Sequence, residues 1–216
     1  MIVGYSDYDC PSDGMGPFKE LFEYSRNLRY QTSLTGLDAV LLWGGSDISP
    51  SLYKQERIPS SGPTQPSERD VFEWEIIKEA EKNKIPIIGV CRGAQILCAY
   101  AGGKLIQDVN NHQHNHDITT VDGKHFLVNS HHHQMLYPYE VDHELLAWAS
   151  KHQATSYKPE SFKGSLALEK HLVKEPEVVY FPKIKGIGVQ CHPEWHRKDH
   201  PFNEWLLQTI NNKFFM

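Results

Sequence analysis

Cysteine is scarce. The four present, Cys10, Cys91, Cys98 and Cys191, are too few and too irregularly spaced for a disulfide framework, and no CxxC pair is available to hold zinc. Reduced thiols are expected. Long apolar runs are missing too: no window approaches the roughly 18 residues of a membrane span, and the opening MIVGYSDYDC has neither a basic n-region nor a long apolar core. The sequence reads as a cytoplasmic protein with no membrane partner. Basic runs are equally absent. The 22 Lys and Arg are scattered through a chain of net charge -5 and pI near 6.2, which excludes the electrostatic footprint of a nucleic-acid binder. Small neutral or zwitterionic partners fit better. Neither an internal repeat nor a linker divides the 216 residues, and 39% hydrophobic content suffices for one substantial core, so a single domain over 1–216 is expected.

What is present alternates. Short apolar, β-branched runs (IVGY at 2–5, DAVLLW at 38–43, IPIIGV at 85–90, HFLVN at 125–129, EVVYF at 177–181, GIGVQC at 186–191) are separated by segments of helical period. That is the pattern of an α/β domain with a mostly parallel sheet. The spacing predicts helices over PFKELFEYSRNL, with Phe18, Leu21, Phe22 and Leu28 on one stripe, and over SERDVFEWEIIKEAEKNK. In the latter, Ser67 caps and Val71, Trp74, Ile76 and Ile77 face the sheet. A last helix is expected near 202–214. The proline-rich stretch 46–70 reads as a surface excursion, and NNHQHNHDITTVDGK as a loop or small hairpin with its turn at Asp122-Gly123.

IIGVCRGAQILCAYAGG places Cys91 where a buried strand becomes a small-residue helix. In a parallel sheet, ligands collect at the carboxyl ends of strands. Gly89 and Gly93 flank the cysteine as small residues flank a nucleophile elbow, and the positive end of the following helix favours a thiolate. A buried, inert cysteine would fit the same stretch. About 100 residues later, GVQCHPEW delivers His192 from another strand, with Glu194 two residues on. A thiol needs a base, and the base needs an acceptor to hold its tautomer. Cys, His and Glu supply these three roles.

GVCRGAQ resembles the G-x-C-x-G-x-Q elbow of class I glutamine amidotransferases, in particular their γ-glutamyl-hydrolase-like branch, the peptidase C26 group. HPE is similar to that branch's His and Glu, and LLWGGSDISPSLY to its oxyanion strand and G-G-x-D-x-x-P-x-x-Y motif. ERDVFEWEIIKEA, AGGKLIQDV and VNSHHHQ match further segments in order, from about residue 38 to 195. The resemblance implies a flavodoxin-like three-layer sandwich with the elbow after a central strand. It also implies a hydrolase in which Cys91 attacks a γ-glutamyl carbonyl through a thioester, with His192 as base and then acid, oriented by Glu194. Backbone N–H groups of Gly45 and Arg92 would form the oxyanion hole. Gly44, Gln95, Ser130, His131, His132 and His133 would contact the glutamyl group, His132 being the imidazole expected to face the site. No cofactor is implied. An alternative is a glutaminase subunit feeding ammonia to a separate synthetase partner, or a non-catalytic relative that only binds.

The chain departs from the branch at Trp43, before Gly44, where proline is common, and at Cys191, before His192, where an aromatic is common. Both read as core packing. The region before residue 35 is short, and segment 144–175 matches least. Histidines are plentiful: His112, His114 and His116 alternate along an extended stretch, and 131–133 are all histidine, so a zinc site is stereochemically conceivable. With no Cys pair and no HExxH helix, the reading is that no metal is bound.

Overall fold

The computed structural model describes residues 1–29, 33–157 and 174–216. In chain order the elements are β1 (Ile2–Tyr5), β2 (Tyr24–Asn27), β3 (Ala39–Leu42), α1 (Glu68–Asn83), β4 (Ile87–Val90), α2 (Arg92–Tyr100) and β5 (Lys104–Ile106). There follow β6 (His116–Thr120), β7 (His125–Val128), β8 (Met135–Tyr137), β9 (Glu144–Ala149), β10 (Pro176–Phe181), β11 (Gly186–Val189) and α3 (Pro201–Phe214). Among the described residues, nine strands form one sheet in the order β2-β1-β3-β4-β11-β10-β9-β6-β7. From β2 to β11 neighbouring strands are parallel, and from β11 to β7 they are antiparallel. The expected doubly covered α/β sandwich is there, extended by an antiparallel wing.

Strand alternation sorts the core into two layers. Leu41, Trp43, Ile88, Val90, Ile187 and Val189 pack on one face with Phe18, Phe202, Trp205 and Ile210. Val40, Leu42 and Ile87 pack on the other with Ile76, Ile77 and Ala80 of α1 and Ile96 and Leu97 of α2. Helix α1 starts at Ser67 in a capping box: Ser67 Oγ accepts from Asp70 N–H at 3.1 Å, and the Asp70 carboxylate accepts from Ser67 N–H at 2.9 Å. Its inward face differs from expectation. Val71 is exposed, whereas Arg69, Asp70 and Glu73 are buried. Polar burial there is explained by ion pairing, Arg92 with Asp70 and Glu73 and Arg69 with Glu73, described below.

The segment 17–28 also departs from the predicted helix. Gly16–Glu20 forms a 3-10 turn with Pro17 near its start, and the chain then runs as β2 beside β1. Phe18, Phe22 and Leu28 are buried as expected and Leu21 half-buried. Tyr24 to Asn27 offers a helix no apolar face, so the backbone pairs along the sheet edge instead. The proline-rich stretch is less superficial than expected, because Ile48, Tyr53, Ile58 and Gln55 are buried. Gln55 bridges to Leu105, accepting from its N–H at 2.9 Å and donating to its carbonyl at 3.1 Å. The predicted hairpin forms from β6 and β7, with Gly123 at φ +81° in the turn. Of the poorly matching segment 144–175, residues 158–173 lie outside the described residues.

Candidate active site

Strands β3, β4 and β11 are neighbours in parallel register, Leu42 opposite Gly89 and Val90 opposite Val189. Their carboxyl ends therefore deliver Gly44, Cys91 and His192 to one edge of the sheet. Cys91 turns the chain from β4 into α2 at φ +49°, ψ -104°, a conformation costing a non-glycine residue roughly 1–3 kcal/mol. Small residues make the turn fit. A Cβ on Gly93 would strike the Leu42 carbonyl, and one on Gly89 would strike the Gly93 backbone. Arg92, first in α2, carries a backbone N–H with no acceptor inside the helix.

His192 Nδ1 lies 2.7 Å from Glu194 Oε1. Burial pulls the imidazole down, but its hydrogen bonds with Cys91 and Glu194 prevail and push it up to about 9. The ring of Trp195 stacks flat on His192, with centroids 3.8 Å apart and an interplanar angle of 4°, an arrangement that favours the imidazolium form. Gly44 lies against both side chains: a Cβ there would sit 2.8 Å from His192 Cε1 and 3.6 Å from Cys91 Cβ. Gly45 adopts φ +129°.

The other thiols are set apart. Burial pushes Cys98 up to about 12 and, with Glu177 and Glu194 nearby, raises Cys191 well above its ordinary value. Cys10 is raised by burial and then by Asp7. Cys191 and Trp43 are fully buried in the core, and Trp43 Nε1 donates to the Gly14 carbonyl at 3.3 Å, so both pack as expected.

Several supporting residues were not singled out from sequence. The Asn129 side chain accepts from His192 N–H at 2.8 Å and donates to the His192 carbonyl at 2.7 Å, fixing the backbone that carries the imidazole. Gln190, opposite Cys91 across the β4–β11 pairing, reaches Sγ with Nε2 at 3.9 Å. Arg69 donates to the Trp43 and Gly44 carbonyls at 2.9 and 2.7 Å, to Glu73 at 2.9 Å and to Asp9 at 2.9 Å. The Arg92 guanidinium turns away from the cleft to bind Glu73 and Asp70. Three buried ion pairs, Arg69–Glu73, Arg92–Asp70 and Arg92–Glu73, thus brace the glycine strand and the start of α2. Ser67 was read from sequence as the cap; neither duty of Asp70, in the capping box and with Arg92, was.

The expected glutamyl-binding residues divide. Gln95 donates to the Gln134 carbonyl at 3.1 Å, linking α2 to the 130–134 segment. Ser130 Oγ and His132 N–H both donate to the His112 carbonyl, at 2.7 and 3.0 Å. The His132 ring turns inward onto His112, with centroids 4.7 Å apart, and burial followed by the charge of His112 holds it well below 6.5. His131, exposed, is the imidazole of this run that lines the cleft, which corrects the expectation for His132. His133 pairs with Asp47 at 3.0 Å and Asp108 at 3.4 Å, and the Asp47 bond raises it against burial.

Among the described residues, His112, His132 and Glu177 could offer a metal one atom each, all within 4.8 Å of one another. Ligands of tetrahedral zinc stand only about 3.4 Å apart, given bonds of about 2.0–2.1 Å. As it stands the cluster ties the 112 and 130–132 segments together.

Cys91, Gly44, Gly45, His131, His192, Glu194 and Trp195 line one cleft of about 570 Å³, closed on another side by Asp9, Cys10 and Pro11. The cleft thus holds a thiol and an imidazole bonded to a carboxylate beside two glycines.

Comparison with known proteins gives the following. Residues 22–194 match the family described as Peptidase C26. The chain is 31% identical to Protein NtpR of Enterococcus hirae over 82% of this chain and 75% of that protein. It is 26% identical to the γ-glutamyl-γ-aminobutyrate hydrolase of Escherichia coli O157:H7 over 81% of this chain and 71% of that protein. A shorter match, 32% identical over 44% of this chain and 42% of the relative, is to the γ-glutamyl-CDP-amidate hydrolase of Campylobacter jejuni. The crystal structure of a glutamine amidotransferase from Thermotoga maritima shares the fold, with TM-score 0.59 and 16% identity over 100% of this chain and 85% of that one.

Proposed function

The chain belongs to the peptidase C26 family of class I glutamine-amidotransferase-like proteins, and from that premise we propose that it hydrolyses the γ-glutamyl amide bond of a small molecule through a thioester on Cys91. The observation that carries this reading is the elbow cysteine meeting a His192 imidazole whose other nitrogen bonds Glu194 at 2.7 Å. Two relatives bear names that specify γ-glutamyl substrates with different amines. The glutamyl bond is what those names share.

In the proposed cycle the Cys91 thiolate attacks the γ-carbonyl carbon, and the oxygen's negative charge is met by the Gly45 and Arg92 N–H groups. The imidazolium of His192 protonates the departing nitrogen as the C–N bond breaks, leaving a glutamyl thioester and a neutral imidazole. His192 then takes a proton from water, whose oxygen attacks the thioester. Collapse expels the thiolate and frees glutamate. Glu194 holds the imidazole tautomer throughout. Each step balances with these side chains and water.

Gln95, Ser130 and the backbone around His131 to His133 bind the glutamyl end in this reading, since Gln95 and Gln134 join beside the nucleophile. The test is glutamate release from a panel of γ-glutamyl amides by wild-type protein and by Cys91→Ala. Release by the wild type alone is expected. Equal release by both would refute the proposal. Glutamine hydrolysis that is weak alone and stimulated by a second chain would point to the ammonia-supplying role instead.

A further inference from the structure

Beyond the reacting atoms, the cleft is charged with one sign. Its outer wall is the loop after β1, where Asp9 holds a side chain 66% exposed. Among the described residues lining the cleft there is no lysine or arginine. The other carboxylate, Glu194, is committed to His192.

Arg69 pairs with Asp9 at 2.9 Å but is shared with Glu73. Arg69 and Arg92 together face three carboxylates, Asp9, Asp70 and Glu73, two of which are fully buried. The guanidiniums are outnumbered, and the surplus negative charge surfaces at the one member of the network that solvent reaches. Arg69, itself buried, also donates to Glu73 and to the Trp43 and Gly44 carbonyls, so its charge is shared among several acceptors. Trp195, 58% exposed, lines the same cleft, with His192 stacked on its ring and the His131 ring 5.9 Å away. An exposed carboxylate and an exposed aromatic residue are two features that attract a cation.

Resting on the hydrolase reading, we propose that the amine released carries a second, positively charged group, and that Asp9 selects it. An amine ending in a carboxylate would meet the like charge of Asp9, with no lysine or arginine among the described residues lining the cleft.

Three γ-glutamyl amides of matched length test this: those of 1,4-diaminobutane, butylamine and 4-aminobutyrate. The diamine amide should exceed the butyl amide by about fivefold in kcat/KM, the scale of a partly exposed ion pair, mainly through KM, with the aminobutyrate amide lowest. The diamine-to-butyl ratio should fall towards one in Asp9→Asn, which keeps an acceptor for Arg69. The same collapse is expected for wild-type protein in about 1 M salt, where the screening length is about 3 Å; this arm stands even where the variant does not fold. Equal rates on all three, or a preference that survives both the variant and the salt, overturns the role of Asp9 and leaves glutamyl hydrolysis intact. Glutamate from none of the three overturns the hydrolase reading and the amine preference with it.

Discussion

Asn129→Ala removes the clamp on the histidine-bearing turn without touching any reacting atom. The lost side chain accepts from the His192 N–H at 2.8 Å and donates to its carbonyl at 2.7 Å. Each bond contributes about 1 kcal/mol, and an N–H left unsatisfied in a buried site costs a further 1–3 kcal/mol. The expected loss is about 3 kcal/mol. At roughly 2–4 °C per kcal/mol for a domain of this size, the melting temperature should fall by about 6–12 °C. Because the imidazole is then free to shift, kcat on a γ-glutamyl amide should drop by about tenfold to a hundredfold while KM changes little. Asn129→Asp keeps the acceptor but loses the donor, and should fall between. Thermal unfolding and steady-state glutamate release measure both effects. Wild-type kcat in a destabilised Asn129→Ala protein would refute the idea that this side chain positions the base.

The pH profile follows from His192. Its protonated form is favoured by the fold, with a value of about 9 against an ordinary 6.5, so its stabilising contribution is full below about pH 6.5 and is lost as pH rises through about 9. Activity should fall over the same alkaline limb as the acid for the departing amine is lost, and in Glu194→Gln that limb should move to lower pH with residual turnover. An unmoved limb contradicts the assignment. Arg92→Met leaves Asp70 without a buried cation and Glu73 with Arg69 alone, and should cost about 3–5 kcal/mol in urea unfolding; a loss under 1 kcal/mol would show the network to be ornamental. Gly44→Ala sets a methyl 2.8 Å from His192 Cε1 and should reduce kcat far more than stability, whereas wild-type kcat would mean the imidazole sits elsewhere during turnover.

The chemistry was readable where it sat on strand ends. Cys91 and His192 each follow an apolar run, and runs of that kind in a parallel sheet bring their carboxyl ends together. The antiparallel wing was less readable, because hairpin strands such as β6 and β7 resemble any short alternating run until their partner is known. Strand β2 was misread because Phe18, Phe22 and Leu28 are buried from a turn and an edge strand as well as they would be from a helix. Asn129, Arg69 and Asp9 had no local signal at all. Their contacts join residues 63, 25 or 60 positions away, and single polar residues carry no periodicity. His132 was placed wrongly for a related reason, since three adjacent histidines do not reveal which ring the backbone turns inward.

Mass spectrometry of the protein quenched during turnover of a γ-glutamyl amide addresses the covalent step itself. One glutamyl unit should appear on the peptide containing Cys91, vanish on hydroxylamine treatment as a thioester does, and be absent from peptides containing Cys10, Cys98 or Cys191. Turnover with no adduct on Cys91, or an adduct on Cys191 beside the histidine, would contradict the account.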